Sequence, residues 1–122
     1  VVSCVADGKG LEFLHPIDLY TIFGNAMGNA IECVKNLPNQ EKRQIDVLIH
    51  RHHQFLIVQI MNPVEEELEF EDNLPVTTKH DKAYHGYGLR SIKNSVKKYN
   101  GVFQVKIKDG CFCLKILFPI KE

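Results

Sequence analysis

Between residues 17 and 35, Leu19, Ile22, Phe23, Ala26, Ala30 and Val34 recur at steps of three and four, drawing one apolar stripe down an α-helix. Pro16 opens the pattern and Asn36-Leu37-Pro38-Asn39 closes it. A helix with one oily side must lay that side on a second layer, and the rest of the chain supplies one. Ile45, Val47 and Ile49 alternate with Asp46, Leu48 and His50; a second strand pattern covers 55–61, and His52-His53-Gln54 turns between them. Residues 102–108 and 111–118 predict a hairpin across Asp109-Gly110, a pair suited to the left-handed backbone of tight strand turns. A second helix is expected to begin near Gly88, with Leu89, Ile92, Val96 and Tyr99 as its stripe and Asn100-Gly101 as its left-handed stop. Residues 1–5 and 11–14 read as a further hairpin across Asp7-Gly8-Lys9-Gly10. This order predicts an α/β fold, a two-layer sandwich of a mixed, mostly antiparallel sheet with helices on one face.

Composition narrows the partners. The 122 residues form one expected domain, 1–122, and 44% hydrophobic with 25% charged residues suits a folded chain. Fifteen basic and fifteen acidic residues cancel, which argues against a nucleic-acid partner or direct contact with a membrane surface. The longest strictly apolar run, 55–58, is too short to cross a bilayer. A chain opening on Val1-Val2-Ser3, without Met, reads as a fragment of a longer protein. Cys4, Cys33, Cys111 and Cys113 form no CxxC pair and read as reduced, packed thiols of a cytoplasmic domain. His50, His52 and His53 sit beside a turn without the spacing of zinc ligands.

Three features carry chemistry. Asn25 and Asn29 stand four residues apart on the margin of the first helix's stripe. Their carbonyl oxygens suit a hard cation and its phosphates, or the two are simply half-exposed amides. Residues 63–84 show no sustained period and carry the acidic run Glu65, Glu66, Glu67, Glu69, Glu71 and Asp72. That is either a functional lid or a merely solvated connection. In His85-Gly86-Tyr87-Gly88-Leu89, the glycines permit close backbone approach, and a helix start there offers free N–H groups to phosphate; glycines also serve as plain turns.

Together these pieces resemble the catalytic and ATP-binding domain of sensor histidine kinases, in the GHKL superfamily with the Bergerat fold. The segment Asn25-Ala26-Met27-Gly28-Asn29-Ala30-Ile31-Glu32 is similar to the N box. Lys79 with His85-Gly86-Tyr87-Gly88-Leu89-Arg90-Ser91-Ile92 is similar to the end of an ATP lid, here about 63–87, and its glycine box; Tyr99-Asn100-Gly101 fits the helix end that follows. The nearest flavour is the quorum-sensing, peptide-responsive type.

The resemblance implies that Asn29 coordinates Mg²⁺ and that Asn25 sits beside the phosphates. It further implies that Lys79 and His85 meet phosphates and that the amides of 86–89 (Gly86, Tyr87, Gly88, Leu89) cradle them. Asn62 stands where the family usually places an adenine-reading Asp, and Pro63-Val64 replaces the glycines that follow it. An Asn carbonyl still accepts the adenine amino hydrogen. ATPase branches carry a glutamate base at the position of Asn25, and an amide cannot take that proton at neutral pH.

The expected activity is therefore transfer of the γ-phosphoryl to a histidine on a separate dimerisation helix, with the isolated fragment inactive in autophosphorylation. Expected partners are ATP and ADP, the domain's own dimerisation helices and a response regulator, in a homodimer anchored to the membrane with this domain in the cytoplasm. The alternatives are a nucleotide-dependent interaction module with decayed kinase activity, a GHKL ATPase, and a serine-kinase anti-sigma factor.

Overall fold

The structure, a computed structural model, describes residues 2–6, 8–35, 37–64, 69–71, 74–76 and 82–120; within 8–9, 69–71, 74–76 and 82–87 the description covers the backbone. Seven strands and two α-helices are described: β1 (Val2–Ala6), α1 (Pro16–Lys35), β2 (Ile45–His52), β3 (Phe55–Pro63), β4 (Glu69–Glu71), β5 (Leu74–Val76), α2 (Lys82–Lys97), β6 (Val102–Lys108) and β7 (Cys111–Pro119). A five-stranded sheet runs in the order β1-β2-β3-β7-β6, and β4-β5 form a separate two-stranded ribbon.

Local rules account for most of the sheet. β2 and β3 pair antiparallel from Asp46↔Met61 to His52↔Phe55, with His53 at φ 57° in the turn. β6 and β7 pair from Val102↔Leu117 to Lys108↔Cys111, and both turn residues, Asp109 (φ 54°) and Gly110 (φ 75°), lie in the left-handed region, as the Asp-Gly signal requires. Strand alternation sends Val47, Ile60, Leu114 and Val105 to one side as direct partners, with Ile49, Val58 and Ile116 beside them. Onto that face α1 lowers Ile22, Ala26, Ala30 and Val34, and α2 lowers Leu89, Ile92 and Val96. Ile22, Leu56, Ile92 and Phe118 are fully buried, each burial being worth roughly 1.5–3 kcal/mol. The result is the expected two-layer α/β sandwich with a mixed sheet.

Three expectations are corrected. Residues 1–5 and 11–14 form no hairpin: β1 pairs parallel to β2 (Val2↔Ile45 to Ala6↔Ile49), and the chain turns through a 3-10 helix at Gly8–Leu11. Leu11 and Leu14 still face inward, but as core contacts ahead of α1 and not as a strand. A parallel partner needs a crossover, and α1 is that crossover. Secondly, α2 begins at Lys82, six residues before Gly88. Two glycines cost a helix roughly 2 kcal/mol together, and packing of the Leu89, Ile92 and Val96 stripe outweighs that. Thirdly, the segment 63–84 is not structureless throughout, since Pro63 ends β3, the pair Glu69↔Val76 belongs to the β4-β5 ribbon, and Lys82 opens α2.

Candidate functional site

The site is built from α1, the end of β3 and α2. Four-residue steps place Asn25, Asn29 and Cys33 in one line along α1. Asn25 is half-buried, and its Nδ2 donates to the Thr21 carbonyl one turn back at 2.8 Å. That bond fixes the amide, leaving Oδ1 directed at α2. There it meets Gly88, where a Cβ would stand 3.3 Å from Asn25 Oδ1. The second glycine of the Gly-x-Gly pair thus lets α2 approach the asparagine closely. Asn29, one turn further along, is buried to 9% exposure beside Ala26 and Ala30 of the core stripe.

Asn62 ends the inward-facing series of β3, opposite Phe112, with 2% of its surface exposed. Its Nδ2 donates to the Pro63 carbonyl at 3.1 Å, while its Oδ1 is buried and has no partner among the described residues. Leaving such an oxygen unpaired costs about 1–3 kcal/mol, so it marks a place where a donor from outside would be welcome. The carboxamide lies beside Cys33 of α1, whose thiol pKa burial pushes up and the Asn62 amide pulls down. An open cavity of about 460 Å³ lies at this end of the sheet, with Asn62, Val64, Leu37 and Gly110 in its wall.

A latch sets the two helices against each other. Tyr99, just past α2, donates through its hydroxyl to Asp18 Oδ2 at 2.6 Å, and Lys98 Nζ donates to Asp18 Oδ1 at 3.0 Å. The same hydroxyl accepts from the His15 N–H at 2.9 Å. Asp18 is in the first turn of α1, so the start of one helix is tied to the end of the other. The Tyr99 and Lys98 hydrogen bonds hold the Asp18 carboxyl below its ordinary pKa; burial, and then the bond to Asp18, raise that of Tyr99. Phe13 and Phe118 pack edge-on against the Tyr99 ring at 5.8 and 6.0 Å.

The sequence-derived residues fare unevenly. Asn25 and Gly88 meet, and Asn62 is buried with a free acceptor. Lys79 lies outside the described residues, as do the side chains of His85 and Tyr87. Because α2 starts at Lys82, the expectation of free amides over 86–89 is corrected: a helix leaves only its first four N–H groups unpaired, and those lie ahead of Gly86. Leu89 is 1% exposed and serves the core through its side chain. His85 belongs to the first turn of α2, three residues ahead of the helix start expected near Gly88. Cys33 and Asp18 were passed over; the four-residue step from Asn29 was the available signal for Cys33. His50 lies on the sheet face away from the helices by strand alternation, with Nδ1 unpartnered among the described residues.

Similar proteins share this arrangement of elements. The catalytic domain of histidine kinase ThkA, in a nucleotide-free form, superposes with TM-score 0.67 at 17% identity over 97% of this chain and 77% of that one. A second nucleotide-free form gives 0.70 at 15% identity with the same coverage. The histidine kinase AdeS of Acinetobacter baumannii gives 0.63 at 12% identity, over 99% of this chain and 55% of that one. At such identities the likeness speaks for the fold. No characterised protein sequence matches the chain significantly. Residues 14–119 match the GHKL domain family (HATPase_c_5), a stretch that takes in α1, Asn62, α2 and the closing hairpin, and the chain therefore belongs to the GHKL domain family.

Proposed function

We propose that this domain binds Mg-ATP between α1, the end of β3 and α2, and donates the γ-phosphoryl to a histidine on a separate dimerisation helix. The observation that carries the reading is the unpaired, buried Oδ1 of Asn62, an acceptor awaiting a donor such as the amino group of adenine. Asn25 and Asn29 extend the same helix line toward the phosphates, and Gly88 gives α2 its approach. Lys79 and His85 would complete the phosphate side, with the first turn of α2 supplying the free amides.

The donor set suits Mg²⁺. A buried carboxamide oxygen at Asn29 is a hard ligand, and Mg²⁺ takes few protein groups, filling its shell with phosphate oxygens and water. When bound there, the ion would neutralise phosphate charge. Asn25 separates transfer from hydrolysis. Its amide is engaged with Thr21 and carries no titratable proton site, so it cannot activate water as a general base. An imidazole acceptor is itself a nucleophile, and positioning is then the main task of the domain.

In this reading the whole protein is a membrane-anchored homodimer of the quorum-sensing, peptide-responsive type, passing its phosphoryl group to a response regulator. No described helix is long and apolar enough to cross a membrane. The test is incubation of the protein, together with its dimerisation helix, with γ-labelled ATP. An acid-labile, base-stable label on the helix histidine is expected. Rapid phosphate release by the domain alone, lost in Asn25→Ala, would instead place it with the ATPases. Tight Mg-ATP binding with no label transfer would point to an interaction module.

A further inference from the structure

The outer face of the sheet carries a cluster of sulfur. Strand alternation sends Phe112, Leu114, Ile116 and Phe118 of β7 to the helix side, so Cys111 and Cys113 face the opposite way. The two cysteines are two residues apart on one strand, about 6.6 Å along the backbone. The register sets Met61 of β3 directly opposite Cys113, and the Cβ atoms of such partners lie roughly 4.5–5.5 Å apart. Cys113 is 9% exposed, Cys111 and Met61 are partly buried, and both cysteines are free thiols. Met61 and Cys111 also line the cavity of about 460 Å³, which gives the cluster an entrance.

Donor chemistry limits what such a cluster can hold. Zinc usually takes four ligands drawn from Cys, His, Asp and Glu, and no three of those residue types gather at a metal-holding position among the described residues. Two thiolates and a thioether are instead a small, soft donor set, which suits Cu(I). The charges around it agree. Two thiols that release their protons to one Cu⁺ leave a centre with one negative charge. β6 sets Lys106 opposite Cys113 and Lys108 opposite Cys111, one lysine across from each thiolate. On the other flank Asp46 of β2 stands opposite Met61, the neutral donor.

We propose that Cys111, Cys113 and Met61 form a Cu(I) site on the outer face of the sheet, with Lys106 and Lys108 offsetting its charge. The two thiolates bind the ion and the thioether completes a three-coordinate sphere. Copper remains Cu(I) throughout, and the two thiol protons pass to solvent. Asn25 and Asn29 belong to the helix on the other face, so the site holds whether or not the domain binds nucleotide.

The probe is Cu(I) itself, titrated without oxygen into the protein against a colorimetric Cu(I) chelator. One ion per chain is expected, with release of two protons. Cys111→Ser and Cys113→Ser should each weaken binding by more than about a hundredfold and Met61→Leu by roughly tenfold, since loss of even an outer partner costs a metal site about 10–100-fold. Cys4→Ser should leave the affinity unchanged. A second measurement needs no variant: Cu(I) should slow alkylation of Cys111 and Cys113, read by peptide mass spectrometry, and leave exposed Cys4 as reactive as before. Wild-type affinity in the Cys111→Ser/Cys113→Ser double variant, or equal protection of all the thiols, would overturn the proposal by showing capture at scattered cysteines. Unchanged affinity in Met61→Leu would overturn the three-coordinate centre, and displacement of the copper by equimolar Zn²⁺ would overturn the choice of metal.

Discussion

Asp18 shows how one buried charge can organise a site it does not touch. Tyr99 and Lys98 bond its two oxygens and thereby join the first turn of α1 to the end of α2, the two helices that carry Asn25 and Gly88. Its carboxyl titrates below the ordinary 3.8 in the folded chain, chiefly through the Tyr99 hydrogen bond. A depressed folded pKa means that the contribution is fully present above the unfolded value and is lost as pH falls through the folded one. Thermal melts from pH 7 to pH 2 should therefore show a steeper acid limb for wild type than for Asp18→Asn, with the gap between the curves full above about pH 4 and closing as pH falls below it. Parallel curves would mean that the latch is electrostatically idle. Asn62 was legible as a candidate through the family resemblance, since it stands where an adenine-reading Asp is usual after the middle strand. Its unpaired oxygen was not, since nothing in the sequence says where an amide's two ends find partners.

Among the elements, α1 and α2 carry glycines at contrasting positions, Gly24 and Gly88. Gly24 is exposed with no atom within 4 Å of where a Cβ would stand. Gly24→Ala should thus raise stability by roughly 0.5–1 kcal/mol in a denaturant melt, through helix propensity alone. Gly88→Ala gains the same propensity but sets a methyl 3.3 Å from Asn25 Oδ1. It should keep or raise the melting temperature while weakening nucleotide binding; a fall in both would make Gly88 a packing residue only. α1, β2, β3 and the β6-β7 hairpin were readable because each obeys a local rule: a stripe, an alternation or a turn pair. β1 was misread because its partner, β2, lies beyond a whole helix, and parallel pairing leaves no turn signature. The strands β4 and β5 have three residues each, too few for alternation to show. The start of α2 was misplaced because Gly86 and Gly88 weigh as helix breakers locally, while the stripe that overrules them lies further on.

At the scale of the whole molecule, the order of elements explains where a ligand would sit. The crossover helix α1 and the returning helix α2 share one sheet face and meet at Asn25 and Gly88. Membership of the GHKL domain family and the fold shared with histidine kinase catalytic domains speak for this order of elements. The central claim is nucleotide binding held by an amide-bound cation. Its most direct test is a calorimetric titration of Mg-ATP into wild type and Asn29→Ala, each repeated with the metal chelated. Alanine is a good helix former beside Ala26 and Ala30, so the variant should melt like wild type. Saturable binding by wild type that needs Mg²⁺, and is weakened roughly tenfold or more in Asn29→Ala, is the predicted result. Equal, metal-independent isotherms for the two proteins, or no saturable binding by wild type, would contradict it.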